Sequence, residues 1–275
     1  MTAEANAERL LILTKTYPTP STKYRETTCV AAVTHSGSMR RLFPVPFRLL
    51  QGAQQFQKWE WIEAKITKAN RDHRPESYKI DVDTIVRGGE RIGTENAWSE
   101  RRTWITPHIV GSYEELERRR QDTGETLGFL RPSRFVRLEI SPVREKDWTE
   151  KDKANLLQDG LFDNNAVRSR PPLEKLPYDF HYLYEDESSV RDTVLKHKIT
   201  DWEVGALFRH CYGRHGDQWE APFRQKLEDD FSKKDLLFLM GTVHRFRDQW
   251  LIVGLFYPPH QPKNRQEQLA LALGV

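Results

Sequence analysis

Cysteine is nearly absent: Cys29 and Cys211 are the only two in 275 residues. A disulfide framework and a cysteine-rich zinc site are therefore both excluded. No run approaches the roughly 18–20 apolar residues needed to span a bilayer, so no membrane partner is expected. The opening Met1-Thr-Ala-Glu-Ala-Asn-Ala-Glu lacks the basic-then-apolar order of a secretory signal, and a cytoplasmic location is the expectation. Gly88, Gly89 and Gly93 do not have the spacing of a phosphate-cradling fingerprint, and no G-x-S-x-G elbow occurs. ATP, NAD and serine-hydrolase chemistry find no support, and no cofactor is expected. No internal repeat of fixed period is present.

What remains is an aromatic-rich and well-charged chain. It is 37% hydrophobic, 11% aromatic and 30% charged, with a mean hydropathy of -0.73. Such a composition belongs to an ordered globular protein of one large domain or two small ones. The net charge is only +3, but it is unevenly placed. The first part, through Glu174, carries an excess of Lys and Arg, whereas residues 175–260 are faintly acidic. Residues 27–58 hold no Asp or Glu at all, yet carry Arg40, Arg41, Arg48 and Lys58. An anionic partner would therefore meet the first part.

Hydropathy patterning predicts strands over residues 10–14, 27–34, 39–45, 59–68 and 78–86. In the fourth of these Ile62, Ala64 and Ile66 alternate with Trp61, Glu63, Lys65 and Thr67. Hairpins at such short spacing predict a small antiparallel barrel. A helix is expected over 113–121, capped by Ser112, then strands over 127–130 and 134–140 and a helix from Thr149. The polar stretch 163–177, with Pro171, Pro172 and Pro177, reads as a linker. Beyond it a strand over 178–184, helices over 201–211 and 218–231 and a hairpin over 236–257 predict a smaller α+β unit. The expected organisation is thus α+β: barrel modules in 1–162, a linker, an α+β domain in 178–260 and a tail in 261–275 that holds a short docking helix.

The most function-like pattern is the interleaving of basic and aromatic residues on the first part. Single-stranded nucleic acid is held by bases stacked on aromatic rings while Lys and Arg follow the phosphates. Arg40, Arg41, Arg48, Trp61, Lys65, Lys68, Arg71 and Arg74 are the candidate surface; packing of Trp59 or Trp61 into the barrel core is the competing reading. Arg101, Arg102 and Trp104 with Arg131, Arg134 and Arg137 form a second basic set. Glu63-Ala64-Lys65 has the E-x-K spacing of a metal-dependent nuclease. That chemistry needs a second carboxylate on the preceding strand, which the acid-free stretch does not offer. His181, His197, His210 and His215, with Cys211, Asp179 and Asp201, raise a zinc question, but His210 and His215 are five apart and do not share a helix face. No catalytic or metal-ligating set is assigned.

The run Thr-Cys-Val-Ala-Ala-Val-Thr-His-Ser-Gly-Ser-Met-Arg-Arg-Leu-Phe-Pro-Val-Pro-Phe-Arg, residues 28–48, resembles the opening of bacterial dual-OB-domain proteins. In that family a Cys-Val-Ala-Gly strand, a Gly turn and an Arg-Leu/Pro strand follow an apolar strand. Residues 10–15, Cys29 to Ala32, Gly37 and Arg41 to Pro46 occupy these places, with Ala32 where the family has Gly. The resemblance extends at most to about Ile140. It implies two β-barrel modules that bind nucleic acid, in proteins of bacterial conflict and anti-phage systems, and it implies no catalytic residues. The expectation is a non-enzymatic subunit that binds DNA or RNA in single-stranded form and docks a protein partner through its C-terminal unit. A protein-interaction adaptor and a nuclease using Glu63 and Lys65 are the alternatives.

Overall fold

In the computed structural model, residues 6–157, 171–188 and 193–261 are described. Residues 163–170 of the expected linker and 262–275 of the expected tail lie outside them. The chain begins with β1 (Asn6–Lys15), the short β2 (Thr19–Ser21), β3 (Arg25–Thr34) and β4 (Met39–Val45). A connection with two short 3-10 turns then leads to β5 (Glu60–Lys68), β6 (Ser77–Ile80) and β7 (Val86–Arg91). Strand pairing runs β1-β3-β4-β6-β5, and β5 pairs back onto β1, which closes a five-stranded barrel. All its pairs are antiparallel except β4 with β6, the third and fifth barrel strands. This strand order is that of an OB-like barrel. Leu10, Ile12, Val30, Ala32, Leu42, Ile62, Ala64 and Ile66 alternate inward and fill it.

After the helix α1 (Glu95–Ile105) the chain enters a second sheet. It comprises β8 (Ile109–Val110), β9 (Leu127–Leu130), β10 (Arg134–Pro142), β11 (Tyr178–Glu185), β12 (Leu195–Ile199), β13 (Leu237–Thr242) and β14 (Trp250–Phe256). The helices α2 (Tyr113–Thr123) and α3 (Glu150–Leu157) fall between its early strands. Between β12 and β13 lie α4 (Trp202–His215) and α5 (Glu220–Arg224), the latter continuing as a π-helical turn to Asp230.

The sheet order is β10-β11-β12-β14-β13-β9-β8. Two of its members, β9 and β10, are separated only by Arg131, Pro132 and Ser133, so they act as one bent strand that pairs with β13 through its first half and β11 through its second. Taken as one strand, the path repeats that of the first barrel, including a parallel pair between the third and fifth strands, β12 and β14. Tyr182, Tyr184, Phe180, Phe238, Met240 and Ile252 fill its interior, with Phe208 and Phe223 packing on from α4 and α5.

The sequence-based division therefore differs from the observed one. Strands of 127–142 and 178–256 are hydrogen-bonded neighbours, so the region read as linker joins two strands of one sheet. Leu138, Ile140 and, across a register shift, Phe135 rather than Val136 pack on the core, and alternation alone could not reveal that their pairing partner lay some forty residues onward.

The two barrels are welded by a third apolar core. Leu11, Leu13, Ala31, Val33, Trp59 and Trp61 from the outer face of the first pack on Leu127, Phe129, Leu237, Leu239, Val253 and Phe256 of the second. The contact is close: a Cβ on Gly254 would lie 2.9 Å from the Thr14 Cβ.

Candidate nucleic-acid interface

OB barrels take oligonucleotides on the face of their second and third strands and on the loops between strands one and two and four and five. In the first barrel the face of β3 is largely spent, because Ala31 and Val33 are buried in the inter-barrel core. The loops joining fourth to fifth strands have the opposite fate. Residues 69–76 of the first barrel and 243–249 of the second meet at one end of the molecule.

The first loop is held in shape by its own polar groups. Lys68 Nζ donates to the carbonyls of Arg74, Pro75 and Ser77 at 2.6, 3.1 and 3.1 Å. The Arg74 guanidinium donates to both Asp72 oxygens, at 2.6 Å from Nη2 and 2.9 Å from Nε. Its Nη1 reaches across to the Thr242 carbonyl at the end of β13, 2.8 Å away. Burial would raise the Asp72 carboxyl, but the hydrogen bonds and charge of Arg74 outweigh it and hold the group well below the usual carboxylate range. Beneath, buried Arg41 donates to the Thr126 carbonyl at 2.8 Å and to Glu76 at 3.4 Å, and Thr126 donates in turn to Glu76.

Onto this base folds the second loop. His244 Nδ1 lies 3.6 Å from Asp72, and its ring stacks on His73 with centroids 6.3 Å apart. Arg247 Nη2 donates to His73 Nδ1 at 3.4 Å. Around these contacts Arg71, Arg245, Arg247 and both histidines are exposed, and the Phe246 ring is 59% exposed. Asp72 is committed to Arg74, which leaves Asp248 as the exposed carboxylate of the second loop. The result is a cationic surface contributed by both barrels, and the second loop adds to it the exposed Phe246 ring, which lies in sequence between Arg245 and Arg247.

Of the residues singled out in the sequence, Lys68, Arg71 and Arg74 come together in the first loop. Arg71 is exposed, whereas Lys68 and Arg74 shape the loop. Arg40 joins them indirectly: its guanidinium lies 4.6 Å over the Tyr78 ring that Lys68 approaches at 5.2 Å, and it pairs with Glu8 at 3.0 Å. Arg41 is buried below. Arg48 pairs with Glu26 at 3.0 Å and donates to the Pro171 carbonyl. Lys65 is exposed further back on β5. Trp61 is buried between the barrels, 5.0 Å from Trp104 and under Arg9. The residues that sequence reading missed are His73, His244, Arg245, Phe246 and Arg247. Their signal was the same basic-aromatic interleaving, in a turn assigned to the faintly acidic half.

The second basic set is dispersed. Arg102 and Arg131 share Asp235 at 2.7 and 3.1 Å. Arg101 is buried between Trp59 and Trp98, and desolvation lowers its guanidinium to about 10. Glu63 and Lys65 both point outward from β5. Among the described residues no group of three or more His, Cys, Asp or Glu side chains is placed to hold a metal ion, and no helix is long and apolar enough to cross a membrane.

Residues 6–107 match the family described as Domain of unknown function (DUF8758), and residues 109–273 match Domain of unknown function (DUF8757). The boundary between the two matches falls between the two barrels. No curated protein matches. Among solved structures, a chain from a replication protein A heterotrimer bound to ssDNA is 8% identical, covering 99% of this chain and 70% of that one at a TM-score of 0.28. So loose a superposition bears on neither fold nor function. The DUF8757 match spans more than half of the sequence, and the chain is a member of that family of unknown function.

Proposed function

We propose that the protein binds single-stranded nucleic acid, without cleaving it, across the paired loops 69–76 and 243–249. The observation that carries this reading is the contact of the two loops through His73 with His244 and Arg247, which leaves Arg71, Arg245, Phe246 and Arg247 exposed on them, at the loops that OB barrels use for oligonucleotides. Cations there would follow the phosphates, and Phe246 would stack a base. Both barrels are read as OB modules in this proposal. A place in a bacterial genome-defence or nucleic-acid-processing system belongs to the same proposal and rests on the resemblance at residues 28–48.

Photocrosslinking to a bromouridine- or thiothymidine-substituted single strand tests the placement. The expected adducts map to peptides carrying Phe246 and Arg71. Adducts confined to the β10–β12 face would place the strand elsewhere. No adduct with either DNA or RNA would favour the adaptor reading.

A further inference from the structure

A second cleft lies between the end of β1, the β4–β5 connection and the start of α4. Its volume is 360 Å³, and it is lined by Lys15, Lys58, Arg91, Phe47, Trp202 and Glu203, among others. That is the size of a small-molecule site.

Its cations are poorly compensated. Lys15 Nζ sits 4.0 Å over the Phe47 ring and 5.9 Å from that of Trp202. Its hydrogen bond is a long one, 3.3 Å to the Phe56 carbonyl. Arg91 donates to the Lys58 carbonyl at 3.2 Å and to Gln57 Oε1 at 3.0 Å. Among the described residues neither Lys15 nor Arg91 has a carboxylate within ion-pairing distance. Lys58 does pair with Glu203 at 3.0 Å, but that side chain is 55% exposed at the rim. Asp201, nearby, is occupied in accepting the backbone N–H groups of Glu203 and Leu255 at 2.6 and 2.8 Å.

Three cations thus line a half-enclosed aromatic cleft whose rim carboxylate is Glu203. Buried Asp201 and Glu60 nearby are held by other donors, Asp201 by those two backbone N–H groups and Glu60 by the Gln57 N–H and the Arg87 guanidinium. Desolvation lowers the Lys15 ammonium to about 8, despite the pull of Glu203 and Asp201. An anion entering the cleft would meet Lys15 and Arg91, which among the described residues have no ion-pair partner of their own.

We infer that this cleft binds a small phosphorylated ligand, its phosphate held by Lys15, Lys58 and Arg91 and its remaining part resting on Phe47 and Trp202. A phosphate dianion suits several cations at once better than a carboxylate does, and guanidinium recognises it through paired N–H donors. None of these residues belongs to the paired loops, so the two sites are separately testable.

Calorimetric titration of the whole chain with inorganic pyrophosphate is the test. Saturable binding is expected, weakened at least tenfold in Lys15→Met and in Arg91→Gln. Pyrophosphate should also slow acylation of Lys15, followed by peptide mass spectrometry, at least threefold. Arg91 is exposed, so Arg91→Gln remains informative if the Lys15 variant misfolds. Absence of binding to the native chain, or unchanged affinity in Arg91→Gln, would overturn the inference. A 5′-phosphorylated dinucleotide that competes more strongly than pyrophosphate would assign the phosphate to a nucleic-acid end, and weaker competition would assign it to a free metabolite. Equal competition by the unphosphorylated dinucleotide would overturn the role of phosphate.

Discussion

Phe246 is a large apolar ring left in water among His244, Arg245 and Arg247, where it contributes little to folding. Base stacking on such a ring is worth about 1–3 kcal/mol by alanine substitution. Phe246→Ala should therefore weaken oligonucleotide affinity several-fold or more in a fluorescence titration while leaving the melting temperature unchanged. His197 is the opposite kind of residue. It is 9% exposed, hydrogen-bonded through Nδ1 to the Tyr184 hydroxyl at 2.9 Å, and desolvation lowers it to about 4. The unfolded chain binds this proton near pH 6.5 and the folded one only near 4, so its stabilising share is full above pH 6.5 and is lost as pH falls through that window. The loss amounts to about 3 kcal/mol, read as a fall in urea midpoint between pH 7 and pH 4 that His197→Gln makes shallower. Arg71 and Arg74 show what residue-level reading can and cannot reach. Both stand out in the sequence as basic residues of a polar loop. Which of them Asp72 would claim depends on the Thr242 carbonyl 168 residues away.

Most elements follow from local pattern. The hairpins of the first barrel obey period-two alternation, and α2 begins at Ser112, whose hydroxyl accepts the Glu115 N–H at 3.2 Å. β12 does not announce itself: Leu195-Lys-His-Lys-Ile alternates correctly, but its inward residues include a histidine and its outward lysines pair with Glu139 and Asp179 across the sheet. α1 is equally hidden, since its residues Asn96, Ala97 and Trp98 have positive φ and its face is rich in Arg and Trp. Pairing at long range was the larger omission, because nothing local tells β10 to join β11. At this scale the closeness of β1 and β14 makes a prediction. With no slack between Gly254 and Thr14, Gly254→Ala should force the strands apart and cost about 1–3 kcal/mol, read in the urea midpoint. A midpoint unchanged by the substitution would mean that the barrels are not seated this closely.

At the scale of the whole molecule, two barrels share a buried seam and offer one composite surface. Phe256 lies at the centre of that seam, with ring centroids 4.9 Å from Phe129 and 5.5 Å from Trp59. Phe256→Ala should cost about 3–5 kcal/mol, and circular dichroism should show both barrels melting together in the native chain, because neither keeps its outer apolar face covered alone. The same seam turns one face of the first barrel inward and brings the two loops side by side. The central claim is that this juxtaposition holds nucleic acid, and the most direct measurement is fluorescence anisotropy of a labelled oligothymidylate titrated at rising salt. If Arg71, Arg245 and Arg247 neutralise about three phosphates, the logarithm of affinity should fall with the logarithm of salt at a slope of about −2. Arg71→Glu with Arg247→Glu should abolish binding at moderate salt without altering the melt. Affinity indifferent to salt, or unchanged in the double variant, would contradict the account.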